Sequence, residues 1–266
     1  MVKVLLERLR QGYRTTRYPR GRAPGLPARF AGRPRVAAAA CPDGCRECVE
    51  SCPTDAIAFA AGVPELDTGA CLFCRVCEQA CPPGAFSFGR DHRLAAAARA
   101  DLVVRPAASG GVASEAGDAA EPVPSALHRE AARLFGRSFR LRQVSAGGCN
   151  ACEADTNVLN TLVWDLGRFG VQFVASPRHA DGLLITGPVT ENMRLALEKT
   201  WRALPSPRVV IAVGACAIAG GPYRDHPEAH NGAASVVPVD LHIPGCPPHP
   251  LTILDGLLRF LGRERG

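Results

Sequence analysis

The sequence predicts a chain of two unlike parts: a small cysteine-rich α+β unit, then a larger α/β unit built on a parallel sheet. Three observations predict this. Eight of the twelve cysteines fall within residues 37–92, in two runs that repeat one motif. From residue 126 to the end, short apolar strands alternate with helical stretches, the pattern of a parallel sheet covered on both faces. Between them, residues 93–125 are rich in Ala, Gly, Ser and Pro and read as a flexible linker. With 266 residues, 47% of them hydrophobic and only 21% charged, the chain can bury a core and is not disordered.

Residues 1–36 form a basic arm. Up to Arg35 it holds Lys3 and nine arginines against Glu7 alone, a local charge of +9, which leaves −3 on the remainder. Pro19, Pro24, Pro27 and Pro34 predict that most of it is extended rather than helical. Val2, Val4, Leu5, Leu6 and Leu9 give its first turns an apolar side. That favours docking on an acidic partner or an anionic membrane surface over a freely solvated tail. Nucleic acid is not expected, because no aromatic-rich basic module follows. The longest mostly apolar stretch, Val209 to Ala219, is too short to span a bilayer. No apolar leader with a cleavage site is visible, so the cysteines are expected in a reducing compartment.

Within residues 37–92 one run reads C-P-D-G-C-R-E-C-V-E-S-C-P from Cys41 and the other C-L-F-C-R-V-C-E-Q-A-C-P from Cys71. Each precedes a short apolar segment, Ala56 to Phe59 and Ala85 to Phe88, so the unit is expected to be pseudo-twofold. The second run is the iron–sulfur spacing in which three cysteines hold one cluster and the fourth ligates the other. By that logic Cys71, Cys74 and Cys77 act with Cys52, and Cys41, Cys45 and Cys48 act with Cys81. The first run has a longer opening gap, C-x3-C-x2-C, which is also the spacing of radical-SAM enzymes. That reading needs a large barrel after the motif, whereas 22 residues lead from Cys48 to the second run at Cys71. Zinc is the other alternative, since four-thiolate zinc sites also use C-x2-C pairs. Three close cysteines followed by Cys-Pro suit a cluster better than the two separate hooks of a zinc site.

The last part is read in order. A helix is predicted over Asn157–Phe169, a strand over Val171–Val174, and an apolar strand over Gly182–Thr186 closed by Gly187 and Pro188. Thr190 caps a helix to about Leu204, with Glu191 at its positive end. Strands follow over Arg208–Val213 and Val236–Ile243, then a helix over Leu251–Leu261. Sites in such sheets lie on the loops leaving the strands. Cys149 and Cys152 precede a helix, and Cys216 and Cys246 each follow a strand.

The cysteine-rich block resembles the bacterial eight-iron ferredoxins. Met1 to Pro34, with Gly12, Thr15, Tyr18-Pro19 and Phe30 to Pro34, resembles the arm of the ferredoxin-like subunit of formate hydrogenlyase-type membrane complexes, which implies an arm lying across neighbouring subunits. Residues 127–262 resemble the small subunit of membrane-bound, energy-converting [NiFe] hydrogenases, homologous to the terminal-cluster subunit of respiratory complex I. The resemblance rests on Leu134 to Ser138, Arg142-Gln143-Val144, Gly148 to Glu153, Ser176 to Asp181, Thr186 to Met193, Val213 to Ala217, Pro238 to Asp240 and Ile243 to Pro248. It implies a flavodoxin-like sheet and a 4Fe–4S cluster on Cys149, Cys152, Cys216 and Cys246. In complex I the first two of these cysteines are adjacent; here two residues separate them, as in the hydrogenases. Gly147, Gly148, Gly214 and Gly245 are expected to let backbone approach the cluster sulfides.

Further residues are drawn in beside that cluster. Glu153 is either a proton carrier, as the resemblance implies, or an acid at a helix N-terminus. Arg178 is either a cation tuning the cluster or part of a surface ion pair. The resemblance makes Thr190 and Met193 lining residues of a quinone or catalytic cavity; the alternatives are a helix cap and a core side chain. His226 and His230 stand on a proline-broken loop and are not expected to bind metal. His92, His128, His179, His242 and His249 are read as structural or surface residues.

The expected function is electron transport. A natural fusion would carry three 4Fe–4S clusters and relay electrons to or from a catalytic large subunit of a hydrogenase-like or complex-I-like oxidoreductase. No nickel-binding cysteine set, P-loop, dinucleotide fingerprint or nucleophile constellation is visible in the chain. Expected partners are the large subunit, membrane subunits and a quinone at the shared interface, on the cytoplasmic side of the inner membrane. The alternatives are a subunit of a nickel-free relative passing electrons from formate or another donor to quinone, and a colourless zinc scaffold.

Overall fold

A helix, α1 (Val2–Gln11), opens the chain, and the residues after it to Arg33 run extended over the surface of both later parts. The arm is therefore helical where its apolar residues recur, in its first turns, and extended only where the prolines begin. The computed structural model describes residues 2–37, 41, 44–81, 83–106, 133, 135 and 138–263.

The cysteine-rich unit has the repeat that its sequence announces. α2 (Glu47–Glu50) and α3 (Val76–Gln79) are single turns, each burying the third cysteine of its run, Cys48 and Cys77. The apolar segment after the first run forms β2 (Ile57–Ala60), which hairpins onto β3 (Val63–Asp67). The segment after the second run forms β4 (Phe86–Phe88), which pairs antiparallel with β1 (Pro34–Val36), the end of the arm.

The residues after this unit differ from the expected linker. Leu94 and Ala95 are buried, and Ala96 pairs with His242 in the last strand of the chain. Arg99 grips Asp67 with both guanidinium arms, and β5 (Val103–Val104) adds a third strand to β3. Of the segment 93–125, residues 93–106 are thus a packed connection, and the remainder lies outside the described residues.

The C-terminal unit shows the predicted flavodoxin-like α/β class. Its elements are β6 (Phe139–Ser145), α4 (Ala151–Val158), β7 (Val171–Phe173), β8 (Gly182–Thr186), α5 (Glu191–Arg202), β9 (Val209–Val213), α6 (Ala215–Ala219), β10 (Leu241–Ile243) and α7 (Pro250–Phe260). The five strands are parallel, in the order β10-β9-β8-β6-β7. The crossover between β6 and β8 is the point where chain order reverses, and ligand sites of such sheets gather there. Alternation divides the strands between two cores. Leu184, Ile211 and Val213 face α7, whereas Leu183, Ile185 and Val210 face Leu197 of α5.

Three elements depart from the sequence reading. The helix expected over Asn157–Phe169 begins and ends earlier, as α4; Asp165 takes a left-handed backbone, and only the turn Leu166–Phe169 beyond it is helical. The strand expected over Val236–Ile243 shortens to β10, because Pro238 cannot donate to a ladder and the Asp240 carboxylate accepts the Val210 N–H instead. Thr190 does stand at the N-cap of α5, but its hydroxyl makes no capping bond.

Candidate metal centres

The cysteines gather into three sets of four. In the first group Cys48, on α2, has its thiol pushed up by burial and then by Cys81, Cys41 and Cys45. In the second, Cys71 is pushed up to about 12 by burial, with Cys77, Cys52 and Cys74 adding to the effect. Cys77 also rises to about 12, through burial and then Cys52 and Cys74. In the third, burial and the neighbouring Cys246 and Cys149 raise Cys216 to about 12, and Cys152 rises through burial, Cys216, Glu153, Cys246 and Cys149. Each group combines cysteines far apart in sequence, in the sets that the motif and the resemblance imply.

Local backbone explains the convergence. Phe73 and Arg75 have left-handed backbones, so the loop from Cys71 to Cys77 coils back, with Cys71 and Cys77 buried and Cys74 left exposed. Amides aim at the sulfurs: Ala56 N–H donates to Cys52 Sγ at 3.3 Å, Ala85 N–H to Cys81 Sγ at 3.4 Å and Phe73 N–H to Cys71 Sγ at 3.2 Å. The first two bonds are the same contact in the two repeats. Ile57, Leu66, Val76 and Phe88 wall a cavity onto which Cys52, Cys71, Cys74 and Cys77 open.

The third group sits beyond the C-terminal ends of the strands. Cys149 and Cys152 come from the β6–α4 loop and the first turn of α4, Cys216 from α6 just after β9, and Cys246 from the loop after β10. Two glycines lie directly against its sulfurs. A Cβ on Gly214, whose φ is +92°, would stand 2.5 Å from Cys152 Sγ, and one on Gly221 would stand 2.7 Å from Cys216 Sγ. Of the glycines singled out from the sequence, Gly214 is the one that lies against a cysteine sulfur; Gly221 was not singled out. The tight contacts of the other expected glycines are elsewhere: Gly147 presses on the Thr190 side chain, Gly148 on Gly187 and Gly245 on Pro248.

Thiols of successive groups act on one another electrostatically. Cys77 of the second group feels Cys48 of the first, and Cys246 of the third feels Cys74 of the second. Crowded thiols with raised pKa values keep their protons unless a cation compensates them, and metal binding removes those protons. All-thiolate donor sets suit iron–sulfur clusters or zinc, so the residues fit either group chemically. Among the described residues no three His, Cys, Asp or Glu side chains converge on the position of a single metal ion.

The remaining candidates divide. Glu153 is 7% exposed, next to Cys152, and its carboxylate accepts from Ser145 Oγ at 2.5 Å and Thr186 Oγ1 at 2.6 Å. Those hydroxyls end β6 and β8, and neither was singled out for this role from the sequence. Thr190 flanks the same loop through Gly147. Met193 is partly buried and packs against the core between the sheet and α5. Arg178 lies exposed in the turn Pro177–His179 before β8, and among the described residues no ion pair of its guanidinium is found.

Of the histidines, His92 lies beside Tyr18, His242 is buried in β10, and His249 accepts from Leu251 N–H at the start of α7. His226 accepts from the Glu228 amide, and His230 meets Glu191 at 2.5 Å. His179 is exposed, and His128 lies outside the described residues.

The chain is similar to known proteins over about half of its length. Residues 149–260 match the family described as NADH ubiquinone oxidoreductase, 20 Kd subunit. Over 126 residues the chain is 43% identical to formate hydrogenlyase subunit 7 of Escherichia coli, covering 47% of this chain and 49% of that one. It is 40% identical over 129 residues to the probable membrane-bound hydrogenase subunit mbhJ of Pyrococcus furiosus, covering 48% and 77%. It is 37% identical over 116 residues to an NADH-quinone oxidoreductase subunit of Heliobacterium modesticaldum, covering 43% and 66%. The chain thus spans about half the length of the first of these relatives.

Proposed function

Since the chain belongs to the NADH ubiquinone oxidoreductase 20 Kd subunit family, we propose that it is an electron-relay subunit of a membrane-associated hydrogenase-like or complex-I-like oxidoreductase. Three 4Fe–4S clusters on the three thiol groups would carry the electrons. The observation that carries this reading is the all-thiol character of the three groups together with the backbone amides aimed at sulfur in the first two and the glycines against sulfur in the third.

The clusters supply one-electron chemistry when bound. The chain's own residues hold and tune them. Twelve thiolates anchor the irons. The amides of Ala56, Ala85 and Phe73 stabilise negative charge on the sulfurs, which favours the reduced state. Ile57, Leu66 and Phe88 give the second group an apolar wall. Gly214 and Gly221 leave room at the third. Glu153 is assigned as a proton carrier at the catalytic end. Both of its hydroxyl donors bond the same oxygen, Oε1, which fixes the carboxylate's orientation and leaves the proton-carrying role to Oε2.

The partners in this reading are a catalytic large subunit at the third group, membrane subunits under the arm, and a quinone at the shared interface. α1 supports the second. Val2, Leu5, Leu6 and Leu9 are all more than half exposed, and Lys3, Arg8 and Arg10 flank them, as in helices that lie on anionic bilayers. Among the described residues no helix is long and apolar enough to cross a membrane. A peripheral place on the cytoplasmic face of the inner membrane follows as part of the proposal. Likeness to the NADH-quinone oxidoreductase relative favours a second reading, in which a nickel-free partner passes electrons to quinone.

Anaerobic purification with bound partners, followed by counting iron, zinc and nickel, tests the proposal. About twelve irons per chain are expected from three cubes. Nickel with hydrogen evolution selects the hydrogenase reading, iron without nickel the quinone reading, and zinc without iron refutes both.

A further inference from the structure

A buried polar network lies where the arm, the cysteine-rich unit and the C-terminal unit meet. Tyr18 Oη donates to Asp255 Oδ1 at 2.6 Å, and Arg259 Nε donates to Asp255 Oδ2 at 2.8 Å. Arg259 Nη2 donates to the Ala95 carbonyl at 2.9 Å. Asp255 and Arg259, one turn apart on α7, are 3% and 4% exposed. Tyr18 belongs to the arm, and Ala95 to the connection leaving the cysteine-rich unit. His92 stands edge-on to the Tyr18 ring, and Arg168 holds the arm by donating to the carbonyls of Thr16 and Tyr18. Next to the network, Ala96 and His242 exchange both backbone hydrogen bonds across the seam.

The same seam runs to the cysteines. Gly69, two residues before Cys71, is seated on Ile218, two residues after Cys216. A Cβ there would stand 2.8 Å from Ile218 Cγ2, across the seam, and 2.9 Å from Cζ and Nη1 of Arg99, on its own side of it. Near the network Gly256 makes a matching close approach, its Cβ position 2.9 Å from that of Ala95. The Cys74–Cys246 junction belongs to this interface.

The Asp255–Arg259 ion pair lies within α7 and joins nothing across the seam; what crosses it are the hydrogen bonds from Tyr18 to Asp255 and from Arg259 to the Ala95 carbonyl, whose net contribution to stability is modest. Apolar side chains would hold as firmly. Bonds of fixed length and direction do something else: they select one arrangement among several that bury similar area. The arrangement selected here decides how near the second thiol group lies to the third. Electron passage falls steeply with that separation, so a small slip along the seam would slow it while leaving every cluster intact.

We propose that the Tyr18–Asp255–Arg259 clasp, with the seat of Gly69 on Ile218, is a positioning device that sets the gap between the second and third thiol groups. This rests on the relay reading above. The step it controls is one-electron transfer: one cluster is oxidised as the other is reduced, and no bond or proton is exchanged.

The test uses the full chain, purified anaerobically with its iron and reduced with dithionite. Spin coupling between the second and third clusters is read by electron paramagnetic resonance, and amide exchange is read at Ala96 and His242. Gly69→Ala should weaken the coupling and slow electron exchange several-fold at unchanged iron content. Adding Ile218→Ala, which removes the methyl on the far side of the seam and leaves only the flexible end of Arg99 to give way, should restore most of both. Tyr18→Phe, the milder variant should Gly69→Ala fold poorly, should speed exchange at both amides and spread the coupling. An iron-loaded parent with coupling and exchange unaltered in Gly69→Ala and Tyr18→Phe would overturn the clasp alone. A parent without iron would overturn the relay reading and the clasp's role with it.

Discussion

Gly214 joins backbone conformation to cluster binding more tightly than any other residue of the third group. Its φ of +92° lies where a side chain is strained, and the Cβ of an alanine would stand 2.5 Å from Cys152 Sγ. The conformation alone costs about 1–3 kcal/mol. Relief by displacing the Cys152 sulfur moves a ligand, so the cost falls on the cluster rather than on the fold. Gly62 provides the control: its φ is +80°, and a Cβ there meets nothing within 4 Å. Gly62→Ala should therefore carry the strain alone, lowering the melting temperature by about 2–4 °C per kcal/mol, and keep all of its iron. Gly214→Ala should lose about four irons per chain, the content of one cube. The assay is iron per chain, with electron paramagnetic resonance of the reduced protein and melting of both variants. Full iron and an unchanged third signal in Gly214→Ala would refute the placement of that cluster against Gly214.

Four other expectations follow from the same residues. Asp255→Asn takes from Arg259 its buried ion-pair partner and should lower stability by about 3 kcal/mol in chemical denaturation. Burial lowers the pKa values of His92 and His242 from 6.5, so the unfolded chain binds more protons than the folded one as pH falls through that value. Stability contributed by the neutral rings is present above about pH 6.5 and is lost below it, so urea midpoints should drop between pH 7.5 and pH 5.5, less so in His92→Gln. Glu153→Gln keeps an acceptor for Ser145 and Thr186 and should retain full iron, while proton-coupled turnover of the intact complex falls about a hundredfold; equal turnover would leave Glu153 structural. Leu5→Glu with Leu9→Glu lies on an exposed face, so stability should stay within about 0.5 kcal/mol while sedimentation with anionic vesicles is lost.

How much of this was legible in the sequence depends on how local each signal is. β8, β9 and α7 were readable because apolar residues run continuously through them and both faces are covered. β6 was not, since Arg140, Arg142 and Gln143 interrupt its apolar pattern, although it is a central strand. α4 was misplaced for a related reason: it buries only Glu153 and Thr156, so no periodic stripe announces it. The cysteine groupings were proposed from close, repeated spacing and from resemblance, and Gly214 was singled out for its place before Cys216 rather than for its contact with the Cys152 sulfur. The clasp was invisible, because Tyr18 and Asp255 are 237 positions apart and nothing in either neighbourhood names the other. Its one local trace is an Asp and an Arg one turn apart in an otherwise apolar helix.

The central claim is that the three thiol groups carry clusters in series. The most direct measurement is stepwise reduction of the anaerobically purified full chain, with iron counted and electron paramagnetic resonance recorded on the same sample. The account predicts about twelve irons and three signals, with the second coupled both to the first and to the third. A colourless chain holding zinc, or an iron-loaded chain whose third signal is magnetically isolated from the second, would contradict it.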